Sequence, residues 1–208
     1  MTAISIKDIN LFRITEEEYH ITLYGGNQEW YVKRWQRMAG CGPSTAANIM
    51  YYLNKTRYNT NIEQTKEEFL RLMNEIWRYV TPGMGGVSST TMLMEGFRKY
   101  LTDQKLEHVL DSIDIGKKPE QRPDISEVIS FLEKALEEDV PAAFLNLEHG
   151  SILELESWHW VTVVALEYDL EDRTAFITIL DNGMRKRIDL VRWLNSTKLG
   201  GGFVSLRV

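Results

Sequence analysis

Gly40-Cys41-Gly42-Pro43-Ser44-Thr45-Ala46-Ala47 holds the only cysteine of this 208-residue chain and opens a helical pattern. Apolar side chains follow at Ala46, Ala47, Ile49, Met50 and Leu53, a spacing that predicts a helix from Pro43 to about Leu53. Proline suits the first turn of a helix, where the N–H it lacks has no partner to lose. Cys41 therefore falls at or just before a helix N-terminus. Unpaired N–H groups and the positive end of the helix dipole favour a negatively charged sulfur there. Glycines on either side leave room for a substrate backbone to reach the thiol. A lone cysteine is more often a small buried apolar residue, but two glycines and a proline are poor company for one.

Downstream of this stretch the helical period continues. Phe69, Leu70, Leu72, Met73, Ile76 and Trp77 form the apolar stripe of a second helix from about Ile62 to Tyr79. Thr81 to Gly86 breaks the chain, and Ser88 or Ser89 caps a third helix through Met92, Leu93, Phe97 and Tyr100. The run Gly83 to Ser89 lacks the lysine and spacing of a phosphate-binding loop and reads as a connection, with a place beside a cleft as the alternative. Asp111 to Asp124, with Gly116, Pro119 and Pro123, reads as a loop. Ser126 begins a fourth helix that ends near Glu138.

Beyond Pro141 the pattern turns to strands: Ala142–Leu147, Trp158–Tyr168, Thr174–Asp181, Lys186–Leu190 and Phe203–Val208. The expected fold is α+β, a helical lobe packed on a mostly antiparallel β lobe. It forms one domain over 1–208, with about 1–140 mainly helical behind an N-terminal segment and about 141–208 mainly strand.

A nucleophilic cysteine needs a base, and His159 is placed to be one. It begins the strand His159-Trp160-Val161-Thr162-Val163, on the side shared with Val161 and Val163. The following strand ends in Asp181-Asn182-Gly183. A hairpin centred on Leu170 puts His159 directly opposite Asp181, close enough for the carboxylate to orient the imidazole and stabilise its charged form. A shift of one residue brings Asn182 opposite instead, so Asn182 is the alternative to Asp181. Trp158 and Trp160 flank the histidine, and either can shield the pair from water.

Those blocks together resemble the papain-like cysteine peptidases, most closely the branch of bacteriocin-processing (double-glycine) peptidases. The matching residues are Gln36, Gly40 to Ala47, His159-Trp160-Val161 and Leu180-Asp181, in the family's order. The resemblance implies a papain-like fold with Cys41 as nucleophile, His159 as proton carrier, Asp181 as its orienting acid and Gln36 as oxyanion donor. Gln36 lies one residue closer to the cysteine than the family spacing, which leaves Gln28 as a second candidate. The transporter-linked members carry membrane segments and a nucleotide-binding domain; neither is present here, so export does not follow.

The implied activity is hydrolysis of a peptide or amide through an acyl-enzyme, with acyl transfer from the same thiol, or a non-catalytic peptide-binding module, as alternatives. The expected partner is a peptide or protein substrate. A net charge of −6 argues against nucleic acid and anionic membranes, and Arg185-Lys186-Arg187 is too short to reverse that and reads as a solvated face. The first residues, Met1 to Asp8, carry charge early and resemble no secretory signal, and no segment approaches the length of a membrane span. With one cysteine no intramolecular disulfide forms, so a cytoplasmic setting is expected. No cofactor is expected: His20, His108 and His149 have no neighbours at metal-ligand spacing.

Overall fold

Pro43 has no N–H to offer the carbonyl of Ala39, so one helix cannot run unbroken past it. In the computed structural model of the protein, which describes residues 1–16, 21–58, 60 and 62–207, the chain breaks there. A short helix α1 (Arg34–Ala39) stops at Gly40, and α2 (Cys41–Thr56) starts at the next residue. Every residue of α2 from Cys41 to Leu53 is buried, which makes it the central helix of the molecule.

Helices α3 (Lys66–Trp77), α4 (Thr90–Asp103), α5 (Ile125–Glu137) and α6 (Leu190–Ser196) follow the local signals closely, with two differences in α5 and α6. Of the two serines expected to cap α4, Ser89 is the cap, its hydroxyl accepting from Met92 N–H at 3.2 Å. Asp124, rather than Ser126, starts α5: its carboxylate accepts from Ser126 while Glu127 reaches back to the Asp124 N–H at 2.9 Å. Helix α6 replaces the end of an expected strand, because Asp189 caps the N–H of Arg192 at 2.9 Å and turns the chain. Its Trp193 is fully buried edge-on to Phe144, with ring centroids 4.7 Å apart.

Strands β1 (Thr2–Ser5), β4 (Val109–Ile115), β5 (Ala142–Asn146), β6 (His159–Asp169), β7 (Thr174–Asp181), β8 (Met184–Asp189) and β9 (Gly201–Arg207) form one sheet. Its order is β4-β9-β5-β6-β7-β8, with β1 also paired to β6, and every pairing is antiparallel. A separate hairpin joins β2 (Arg13–Glu16) to β3 (Ile21–Tyr24). Both α2 and α5 pack on the long central strand β6. The fold is α+β, as expected, but the boundary near residue 140 is crossed twice. Strand β1 lines up with Ala165–Tyr168, and β4, expected as loop, pairs with β9. Asp111, Ser112 and Asp114 obscure the alternation of β4. They are tolerated because β4 is an outer strand with one paired side.

The glycines flanking Cys41 serve the chain's own packing. A Cβ on Gly40 would meet the Gln36 carbonyl at 2.4 Å and the Tyr31 ring at 2.6 Å; one on Gly42 would meet Val87 at 2.8 Å. Gly40→Ala should therefore destabilise the protein by about 1–3 kcal/mol in urea unfolding. Gly85→Ala, where an added Cβ meets nothing within 4 Å, should change stability by less than about 0.5 kcal/mol.

Candidate active site

Cys41 is the first residue of α2, and no side chain caps that N-terminus. It is 9% exposed, at the floor of a cleft of about 410 Å³. One wall comes from Trp35, Met38 and Ala39 on α1, a second from the Met84–Ser88 loop, and a third from Leu145, Leu147 and Trp158. No charged side chain lines the cleft among the described residues. The Met84–Ser88 loop thus lies beside the cleft, held by a 2.6 Å hydrogen bond from Trp160 Nε1 to the Val87 carbonyl. Trp160 is buried behind the site and packs near Gly42, while Trp158 is exposed on the rim. Trp158 has φ +58, a left-handed conformation that costs a bulky residue about 1–3 kcal/mol and persists only where the surroundings impose it.

His159 and Asp181 are brought together, by a register other than the expected one. The loop between β6 and β7 is Leu170 to Arg173, so the hairpin is centred between Glu171 and Asp172. A bulge at Val164 then shifts the pairing, and Thr162 faces Leu180. Extending that register puts Val161 opposite Asp181 and His159 diagonal to it, on the same side of the sheet. A diagonal neighbour is within reach of two polar side chains, and His159 Nε2 lies 2.7 Å from Asp181 Oδ1 with both residues buried. Asn182 does not take this place. With Gly183 it forms the tight turn into β8, at φ +46 and +82, and its side chain accepts from the Gln28 N–H at 3.3 Å.

Burial opposes a charge on His159, but the bond and charge of Asp181 and the neighbouring Cys41 sulfur outweigh it, so the imidazole holds its proton well above its ordinary range. Asp181 is likewise penalised by burial, yet His159 and Lys186 hold it ionised below the usual carboxylate range. Lys186 is a partner that sequence reasoning missed. Its side chain is partly exposed, as a solvated face would have it, but its Nζ lies 2.5 Å from Asp181 Oδ2. Its neighbours also find partners: Arg185 lies over the Tyr24 ring, and Arg187 over Phe176 and beside Glu167. The signal available in advance was the Asn-Gly turn, which fixes the β7–β8 register.

Gln36 is not brought to the cleft. Its amide donates to Asn74 Oδ1 at 3.4 Å on the outer side of α3. Gln28 sits against the Asn182 turn, and its side-chain Oε1 is buried without a partner. Among the described residues no cluster of three or more His, Cys, Asp or Glu is arranged to hold a metal, and His20 lies outside the described residues. No described helix is long and apolar enough to cross a membrane.

A helix-start cysteine beside a strand-borne histidine, with an antiparallel sheet behind them, fits a papain-like fold, and the chain has that fold. It is similar to the crystal structure of UfSP from C. elegans, a cysteine protease of this fold, with a TM-score of 0.55 and 11% sequence identity. The similarity covers 99% of this chain and 34% of that one, so the chain spans about a third of its structural neighbour. No protein-family model and no curated protein matches the sequence.

The raised imidazole makes the His159–Asp181 pair a pH-dependent contribution to stability. The pair contributes fully below the unfolded value of about 6.5 and is lost as pH rises through the higher folded value. A double-mutant cycle of His159→Gln and Asp181→Asn should give a coupling energy of about 0.5–3 kcal/mol at pH 6 that declines steadily toward alkaline pH.

Proposed function

We propose that the chain is a cysteine peptidase or amidase whose nucleophile is Cys41. The observation that carries this reading is the one line of groups from cleft to sheet: Cys41 at the cleft floor, His159 beside it and Asp181 behind His159. In this reading the sulfur attacks an amide carbonyl and the charged imidazole gives its proton to the departing amine. Water then cleaves the thioester, activated by the same imidazole now neutral. Asp181 keeps the imidazole in one orientation and compensates its charge. The apolar walls favour a substrate with a large uncharged side chain near the scissile bond, since a charged one entering the cleft loses its hydration without a partner.

The negative charge that develops on the carbonyl oxygen needs fixed donors. The Cys41 backbone N–H at the uncapped start of α2 is one. For the second we assign Gln28 in place of Gln36, because the Gln36 amide is held by Asn74 whereas the Gln28 backbone is bonded to the Asn182 turn that follows Asp181. Gln28→Ala should lower kcat by about 10²–10³-fold, whereas Gln36→Ala should leave it within about twofold, read on any substrate that the wild type cleaves.

Because Cys41 is the only cysteine, any thiol label reports on this site. Iodoacetamide should alkylate the wild type at neutral pH faster than His159→Ala by on the order of tenfold or more. A peptide panel should show cleavage beside Phe, Leu or Met in preference to Lys or Asp, and none by Cys41→Ala. A peptide containing a Gly-Gly pair belongs in the panel as the test of kinship with the double-glycine peptidases. Equal alkylation rates in wild type and His159→Ala, with no peptide cleaved, would replace this reading by a non-catalytic binding module.

A further inference from the structure

Asp181 lies on the middle strand of three, and it has a cationic partner on each side. His159 on β6 is diagonal to it across one pairing. On the other, Asp181 pairs with Met184 and Ile179 with Lys186, so Lys186 is diagonal across the second. The two oxygens of the carboxylate are divided between them, Oδ1 to His159 at 2.7 Å and Oδ2 to Lys186 at 2.5 Å. The Asp181 side chain is 1% exposed and that of Lys186 30%, so the carboxylate depends on these partners while the lysine side chain is only partly enclosed. The ammonium also donates to the Glu154 carbonyl at 3.1 Å, in the segment leading to Trp158 and His159.

One carboxylate shared by two cations holds each less tightly than it would hold one. We propose that Lys186 acts through Asp181 to limit how strongly the site retains the His159 proton. The groups facing His159 are Cys41 from α2 and Asp181 from β7. From β5 its paired residue is the uncharged Asn146, whose own side chain is bonded to the Glu156 carbonyl and to Trp193. Lys186 is thus the further cation in contact with the pair. A proton held less tightly is released more readily to a departing amine, which is what the proposed acylation step asks of His159. Only this consequence rests on the proposed function; the electrostatic link does not.

The link is read directly on the imidazole. Nuclear magnetic resonance of ring-labelled histidines, with the His159 signal assigned by its loss in His159→Gln, follows the proton between pH 5 and 11. Lys186→Met should raise the His159 midpoint by about one unit, a tenfold gain in proton affinity, because the carboxylate then serves one cation. Lys186→Gln keeps a hydrogen-bond donor without the charge and should raise it likewise, which carries the test if the Met variant does not fold. Lys186→Arg should restore a midpoint near that of the wild type. In Asp181→Asn, adding Lys186→Met should produce little further rise. A midpoint that stays or falls in both neutral variants overturns the proposal, whether or not the protein cleaves peptides. Loss of alkylation and cleavage differences with the midpoint still shifting would instead overturn the proposed function and leave the link standing.

Discussion

A helix buried on all sides for its first thirteen residues, Cys41 to Leu53, governs the rest of this molecule. Such a helix exposes no stripe to water, so it must be enclosed by other elements, and α3, α4, β5 and β6 all contact it. Polar side chains on it need partners inside the protein. Asn48 has two, donating to Thr162 Oγ1 at 2.9 Å on the sheet and accepting from the Gly26 N–H at 2.8 Å in the N-terminal segment. The helix thereby fastens the sheet on one side and the entry chain on another. Its N-terminus is where the enclosure opens, because Pro43 and Gly40 break the chain there and the cleft forms over the break. The sulfur stands at the opening.

The close fit around that break leaves little freedom. Tyr31 occupies the space beside Gly40 and anchors through its hydroxyl to the Met73 carbonyl at 3.2 Å; Val87 occupies the space beside Gly42. Val87 is in turn fixed through its carbonyl to Trp160, the residue after His159. The loop that walls the cleft, the helix bearing the sulfur and the strand bearing the imidazole are thus joined in one packed unit. Preorganised geometry of this kind is what makes a polar group in a dry site effective, since no reorganisation is needed as charge develops. The strained backbone of Trp158 belongs to the same unit, as the residue where the cleft wall turns into β6.

Burial and pairing act together on the charges. His159 and Asp181 are each disfavoured as ions by burial and each favoured by the other, and the balance keeps both charged. The apolar cleft adjoins this charged pair, and none of its described lining residues is charged. Attraction between the buried groups is therefore little screened by water. Lys186, at the edge between interior and solvent, is the group through which the outside touches this balance.

The α+β class, the helix start at Cys41 and the strands bearing His159 and Asp181 were legible in the sequence, because each is written in local chemistry: proline in a first helical turn, alternating β-branched residues, a carboxylate before Asn-Gly. The outer strand β4 and helix α6 were not, since two aspartates blurred one pattern and a capping Asp189 ended a strand that apolar residues seemed to continue. For the site, sequence determined which residue types stood at the ends of which elements. Tertiary structure alone decided the register: a four-residue loop and the bulge at Val164 replaced the direct pairing of His159 and Asp181 by a diagonal one, and no local pattern encodes a bulge in the middle of an apolar strand. Lys186 reaches Asp181 through a different pairing, that of β7 with β8 across the Asn182-Gly183 turn, and Gln36 is carried away from the cleft by its own helix, which turns its amide toward Asn74. Residue chemistry is local, but which groups share a charge is set by how strands slide past one another.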